Sequence, residues 1–340
     1  MTCSKQFSIT VDEVTACCLV QQPSIVTASP TFYVAYDTLN DRIVSSRATD
    51  LIVVNPNTDT ITNTVASGGN LSSGMVFAPV NGRIYVGLNQ TSISIFNAAT
   101  PAFEGSIALP GTVAFLFGYP SYDTTNDLIY WPCLTPANDP ALIVVDPVGA
   151  TASLLVEELT PVGESYLFGL RAAHSPGNNR IYMPFMHTDG AAVNHLYIRV
   201  YNTAGVMQTD ISFGVVTTFG GGVESMFYSP ANALLYWASQ VGLADAPGLI
   251  VINPADNSTV TTVAYGADVP GWVCFTPACS SANVIDVVGD FTQFNTTTHA
   301  EICSTALGMF VATQMEATTA GKVYVAHGTS NELIVLEPPP

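Results

Sequence analysis

Positive charge is what this sequence lacks most. Lys5 and Lys322 are the only lysines in 340 residues, and Lys plus Arg number 8 against 26 Asp plus Glu, for a formal charge of −18. No basic patch can be assembled from so few cations, which excludes nucleic-acid phosphate and anionic membrane surfaces as partners. Charged residues of both signs make up only 10% of the chain. The imbalance therefore reflects missing cations and not the acid-rich surface of a halophile. Long apolar runs are missing too: nothing approaches the roughly 18 consecutive apolar residues of a spanning helix, so membrane insertion is not expected. The opening MTCSKQFSITVDEVTACC has neither the continuous apolar stretch nor the cleavage site of a secretory leader. Export by that route is not expected, unless a leader is absent from this sequence.

Several chemical signatures are absent as well. There is no Cys-x-x-Cys, and the adjacent Cys17-Cys18 suits a zinc site poorly. Phosphate loops of the Gly-x-x-x-x-Gly-Lys type do not occur, and Phe219-Gly-Gly-Gly-Val has no lysine partner. The cysteines, at 3, 17, 18, 133, 274, 279 and 303, are odd in number, so one thiol at least stays free or pairs between chains. Two readings stand: buried apolar thiols, or disulfides, with the closely spaced Cys274 and Cys279 as a candidate pair.

What is present is a repeat. Tyr36-Asp-Thr-Leu-Asn-Asp-Arg-Ile returns as Phe77-Ala-Pro-Val-Asn-Gly-Arg-Ile-Tyr, Tyr122-Asp-Thr-Thr-Asn-Asp-Leu-Ile-Tyr-Trp and Tyr228-Ser-Pro-Ala-Asn-Ala-Leu-Leu-Tyr. The apolar residue before the tyrosine falls at Ile43, Ile84, Ile129, Ile181 and Leu235, in steps of 41, 45, 52 and 54. It reappears at Val323, 88 residues on, with a degenerate copy around Phe275–Val288 inside that gap. Seven units result. Each has a second marker such as Leu51-Ile-Val-Val-Asn-Pro or Leu249-Ile-Val-Ile-Asn-Pro, followed in most by a Thr-rich segment such as Thr60-Ile-Thr-Asn-Thr-Val. The apolar runs read as strands buried on both faces, and the Thr-rich segments as half-exposed strands.

Four strands per unit at this period describe propeller blades. The expected fold is all-β: a single seven-bladed β-propeller domain spanning 1–340, with four-stranded blades near 31–65, 74–107, 115–156, 166–211, 223–263, 271–303 and 306–337. The repeated Asp/Ser-Pro…Asn stretch is the hairpin between first and second strands, where Pro presets φ and Asn tolerates a left-handed backbone. The seventh unit lacks an outer strand, and the orphan Phe7-Ser-Ile-Thr-Val-Asp-Glu-Val has the missing pattern. Residues 7–14 are thus expected to complete the last blade and close the ring, removing the exposed edges. Trp131 and Trp237, each following its unit's Tyr, are expected between blades.

With its Tyr-Val core strands, as in Arg83-Ile-Tyr-Val and Lys322-Val-Tyr-Val-Ala, the chain resembles the YVTN-type β-propellers over nearly its whole length. The resemblance implies the architecture. It does not imply one function, since related seven-bladed propellers include lactonases, antibiotic lyases, surface-layer proteins and binding proteins. No catalytic motif of those enzymes maps onto this sequence residue by residue.

Candidate site residues come from loop length. Segments Trp131–Pro140, Pro184–His195 and Ala238–Gly248 between second and third strands, and the blade-joining Glu157–Ser165 and Ser212–Gly222, are long in units three to five. All share one face of the ring, which makes that face the expected binding surface. Its polar residues are Asp139, Glu158, Glu164, His187, Asp189, His195 and Asp245. His187 and His195 with Asp189 have metal-ligand chemistry, but a polar loop accounts for them equally, and no cofactor or metal is assigned. His174 stands where other units have Tyr and reads as a packing substitute; His299 is expected in an outer strand and His327 in a loop. The sequence favours a non-catalytic binding or assembly propeller, on a virion or cell surface. It would engage a protein or glycan through blades three to five and could form homo- or hetero-oligomers. The alternative is a propeller hydrolase or lyase with carboxylates or a metal at the channel mouth.

Overall fold

The computed structural model describes residues 18–89, 91–116, 118–169, 171–216, 225–239, 248–264, 270–286, 289–308 and 312–339. They form seven antiparallel sheets, the blades of a β-propeller. Blade one consists of β3 (Tyr33–Asp37), β4 (Arg42–Ser46), β5 (Asp50–Asn55) and β6 (Thr60–Ala66), running outward from the ring axis. Blade two is β7 (Leu71–Ala78) to β10 (Ala102–Ala108). In blades three and four the innermost strand is broken in two. Blade three has β11 (Phe115–Leu116) and β12 (Ser121–Asp123), then β13 (Leu128–Leu134), β14 (Pro140–Asp146) and β15 (Thr151–Glu157). Blade four has β16 (Ser165–Phe168) and β17 (Ala173–Ser175), then β18 (Arg180–Thr188), β19 (Asn194–Asn202) and β20 (Met207–Val216). Blades five and six are β21 (Met226–Ser229) to β24 (Ser258–Ala264) and β25 (Pro270–Thr276) to β28 (Glu301–Ala306).

Blade seven closes the ring. Its strands β29 (Ala312–Ala317), β30 (Val323–His327) and β31 (Glu332–Glu337) take their outer partner from the chain's beginning. Residues 7–14, expected to complete this blade, lie outside the described residues. The edge of β31 is covered by β1 (Val20–Gln21) and β2 (Ile25–Val26), with Val20 opposite Glu337 and Ile25 opposite Leu333. The interruption falls at Pro23, which has no N–H to give a ladder and is tolerated only at such an edge. Leu19 is buried with Trp272, Ile285 and Leu336 and anchors the closing segment between blades six and seven.

A disulfide reinforces this closure. Cys18 is bonded to Cys303 of β28 in blade six. Cys279 is also disulfide-bonded, whereas Cys133 and Cys274 are free and buried. The expected Cys274–Cys279 pair is therefore not formed. Burial pushes the Cys133 thiol up to about 12, so it behaves as a packed apolar group.

The repeated turn does more than reverse the chain. The left-handed residue is the one after the Asn: Asp41, Asp127, Asn179 and Ala233 all have φ between 49° and 59°. The Asn itself is freed to latch blades together. Asn81 Nδ2 donates to the Tyr85 hydroxyl (2.8 Å) and to the Pro147 carbonyl of blade three (2.8 Å), which Tyr85 also reaches at 3.1 Å. Asn178 and Tyr182 grip the Pro254 carbonyl of blade five in the same way, and Asn232 and Tyr236 the Thr296 carbonyl of blade six. Each carbonyl belongs to the turn that ends the next blade's third strand. Tyr324 completes the circuit from blade seven, donating to Asp59 of blade one at 2.5 Å.

Between the latches the blades pack through apolar faces. Trp131 is fully buried between blades two and three, and Trp237 between blades four and five. His174 sits in the tyrosine position, as expected, and repeats its bonding: Tyr122 donates to Asp127 (2.6 Å), while His174 Nε2 meets Asn179 at 3.0 Å. Its other nitrogen lies 2.9 Å from the buried Asp123 of blade three. Two histidine placements differ from expectation. His299 is in the turn before β28 with φ 57°, and His327 ends β30, buried, its Nδ1 accepting from the backbone N–H groups of Thr329 and Ser330.

Candidate functional site

Blade four has a taller hairpin on the predicted loop face than blade two. Its strand β18 continues seven residues past Ile181, to Thr188, whereas β8 (Arg83–Leu88) continues four past the equivalent Ile84. Three extra residues raise the hairpin by about 10 Å. His187 and His195, expected to flank a loop, are instead paired strand residues directly opposite one another. The reason is that the apolar runs Tyr182-Met-Pro-Phe-Met and Leu196-Tyr-Ile, buried throughout, carry both strands up to the histidines. Only Asp189–Val193 turns, with the Asp189 carboxylate accepting from the N–H groups of Ala191 and Val193 at 2.9 Å each.

The register lays out a row across the blade: Tyr166 opposite His187, His187 opposite His195, His195 opposite Val215. Tyr166 and His187 stack with centroids 4.6 Å apart, and the two imidazoles are 5.9 Å apart. Each histidine takes its own carboxylate. His187 Nε2 is 2.6 Å from Glu164, and His195 Nε2 is 3.2 Å from Asp189. The bond from the Val193 N–H, then the one with His195, holds the Asp189 carboxyl below its ordinary range. The structure thus brings Glu164, His187, Asp189 and His195 together as two adjoining pairs. Among the described residues, no group of three or more His, Cys, Asp or Glu is placed to hold a metal ion.

Beneath this row lies a second. Phe185 and Tyr197 stack at 5.7 Å, and the Arg199 guanidinium lies over both rings, 5.5 and 5.1 Å from their centroids. Arg199 donates to Asp210 (2.9 Å) and to Glu158, which also accepts from the Tyr201 hydroxyl. Burial works against the Arg199 charge, but the bond to Asp210 and the nearby Tyr197 and Glu158 outweigh it and hold the guanidinium above its ordinary range. Glu158 is thereby a clamp holding the blade-joining segment against blade four. Asp139 has the same role in blade three. It is buried and accepts from the Thr160 N–H at 2.9 Å. Asp245 lies outside the described residues.

The charged groups that sequence reasoning missed are on the ring axis, where all seven innermost strands converge. Arg171, just before β17, is buried with its guanidinium 3.8 Å over the Phe227 ring and 5.5 Å from Trp272. Tyr119 meets Trp272 edge-on at 4.2 Å and Tyr33 at 5.9 Å. Gln314 donates across the axis to the Met75 carbonyl at 3.2 Å. Glu316, on β29, is the carboxylate here. Burial raises it to about 7 against the opposing pull of Arg171, and burial lowers Arg171 to about 10. Arg171 also lines a pocket of 190 Å³ along the innermost strands of blades three to five, together with Tyr122, His174, Met226, Phe227 and Tyr228 among others. It opens on the hairpin-turn face, opposite the predicted one. The sequence signal was a charged residue away from the turn in an innermost-strand segment, Arg171 before Ala173-His-Ser and Glu316 in Ala312–Ala317.

Neither a family model nor a curated protein matches the sequence. In structure the chain is similar to hydrazine synthase of Kuenenia stuttgartiensis, with a TM-score of 0.69 at 10% identity over 97% of this chain and 99% of that one. At such low identity the likeness establishes the propeller fold and nothing of its chemistry.

Proposed function

We propose that this chain is a non-catalytic binding or assembly propeller, exposed on a virion or cell surface, that engages a protein or glycan through the loop face of blades three and four. The observation that carries this reading is exposure. Val162 is fully exposed and Leu159 is 73% exposed in the segment that Glu158 and Asp139 clamp, while Val215 is 58% exposed at the end of the His187/His195 row. Apolar side chains held out from a fixed frame and bordered by ion pairs have the make-up of a contact surface with a polar rim. The charged residues themselves are spent on holding the frame. Disulfides at Cys18–Cys303 and Cys279 support a location outside a reducing cytosol.

The test combines light scattering of the purified protein with a glycan array. Self-association or glycan binding that L159E/V162E abolishes supports the reading; a protein that stays monomeric and binds no glycan counts against it. Glu316 is the observation that favours the alternative, a hydrolase or lyase working at the channel. Hydrolytic turnover lost in E316Q would replace the binding reading with that one.

A further inference from the structure

Arg171 presents a problem that the loop-face reading does not touch. A buried charge needs a partner, because leaving it uncompensated is strongly destabilising. Yet among the described residues no hydrogen bond or ion pair reaches this guanidinium, and its Nη1 is buried with nothing to donate to. Phe227 and Trp272 cover it with aromatic rings, which interact with its charge but leave its N–H groups unused. Glu316 acts on it through space without an ion-pair contact. A buried guanidinium left without a partner calls for an explanation, and the pocket that Arg171 lines offers one for the part of it that Nη1's enclosure does not shut in.

We propose that this pocket binds a small organic monocarboxylate. Its carboxylate takes the Nε and Nη2 N–H donors of Arg171, the edge that is not enclosed as Nη1 is, and its apolar body lies against Phe227, Tyr228, Tyr122 and Met226. A planar guanidinium presents paired donors that match a carboxylate. The volume of 190 Å³ is below the about 300–1,000 Å³ of drug-sized sites, so the occupant is a small acid. The walls contribute Ala172, Ala173, Pro176 and Pro230 besides the aromatic rings, which suits an apolar body and not a fully hydrated anion. A dianion such as phosphate would meet one cation only, with Glu316 nearby opposing a second negative charge.

Calorimetric titration of the intact protein with benzoate, benzamide and inorganic phosphate tests this. Benzoate is expected to bind, with benzamide and phosphate at least tenfold weaker. R171M is expected to weaken benzoate at least tenfold with the circular dichroism spectrum unchanged. E316Q, which removes the competing carboxylate, is expected to tighten it several-fold. Should R171M fail to fold, the benzamide comparison and E316Q still decide. Absence of benzoate binding at millimolar concentration, equal binding of benzamide, preference for phosphate, or unchanged affinity in folded R171M would each overturn the assignment.

Discussion

Replacing Cys303 with Ser cuts the covalent tie across the ring's closing seam. Cys18 and Cys303 are 285 residues apart, so the bond joins nearly the whole chain into one loop. In the chain-entropy treatment a loop of that length restricts the unfolded state by about 5.6 kcal/mol, while removal of native disulfides typically costs about 2–5 kcal/mol. The seam keeps some of its hold in the variant. Four residue pairs of β1 and β2 still lie against β31, and the Leu19 N–H still donates to Gln293 at 2.5 Å. The expected loss is therefore about 4 kcal/mol. With an unfolding entropy of about 2.1 cal/mol/K per residue, that lowers Tm by roughly 6 °C. The variant is a cleaner perturbation than reductant, which would also open the disulfide at Cys279. The assay is calorimetric melting of C303S beside wild type, with C133S as the control for a buried thiol outside any disulfide. A Tm within about 1 °C of wild type would refute the idea that the seam needs the covalent tie.

Two further outcomes follow from the interior. N81A, N178A and N232A each remove a side chain that grips a neighbouring blade's carbonyl, so each is expected to cost about 1–2 kcal/mol in urea unfolding; a near-zero cost at all three would show the latches to be incidental. Glu316 gives a pH dependence. Its folded value of about 7 lies above that of an unfolded carboxyl, so its contribution to stability is complete below about pH 4.5 and is lost as pH rises to about 7. E316Q lacks that loss, so its stability relative to wild type is expected to rise by on the order of 2–3 kcal/mol between pH 5 and pH 8. Chemical denaturation giving the same difference at both pH values would refute the burial of that charge.

The blade count was legible because each blade repeats the same local decisions: an apolar run, an Asn-containing turn, an Ile-Tyr strand, an Asn/Asp-Pro stop. What the turn's Asn does was not legible. Its partner carbonyls at Pro147, Pro254 and Thr296 lie 66, 76 and 64 residues away, and no local rule specifies that distance. The part that β1 and β2 play at the closing seam was not legible for a related reason. Phe7–Val14 has the stronger strand pattern, but β1 and β2 need little propensity of their own. They are held from outside, by β31, by the buried Leu19 and by Cys303. Tertiary contacts, not alternation, chose the segment.

Residues of the loop face were nameable from length alone, yet their roles were not. Glu158, Glu164 and Asp139 could be named only as polar residues of the loop face, yet Glu158 bonds Arg199, Glu164 bonds His187 and Asp139 holds the Thr160 N–H. The axis shows the deeper limit. A strand's alternation says which residues avoid water, but in a propeller the innermost strand has a third environment, the shared passage, that only closure creates. Arg171 and Glu316 come from blades four and seven, 145 residues apart, and act on each other solely because the ring brings their strands to one axis. Read singly, each is an odd charge in an inner strand. In a closed ring, a charge at that position has no surface to reach, so it must be answered from across the passage or by something bound within it. Arg171 lacks a direct answer among the described side chains, which is why the axis, and not the loop face, is where a small ligand is to be sought.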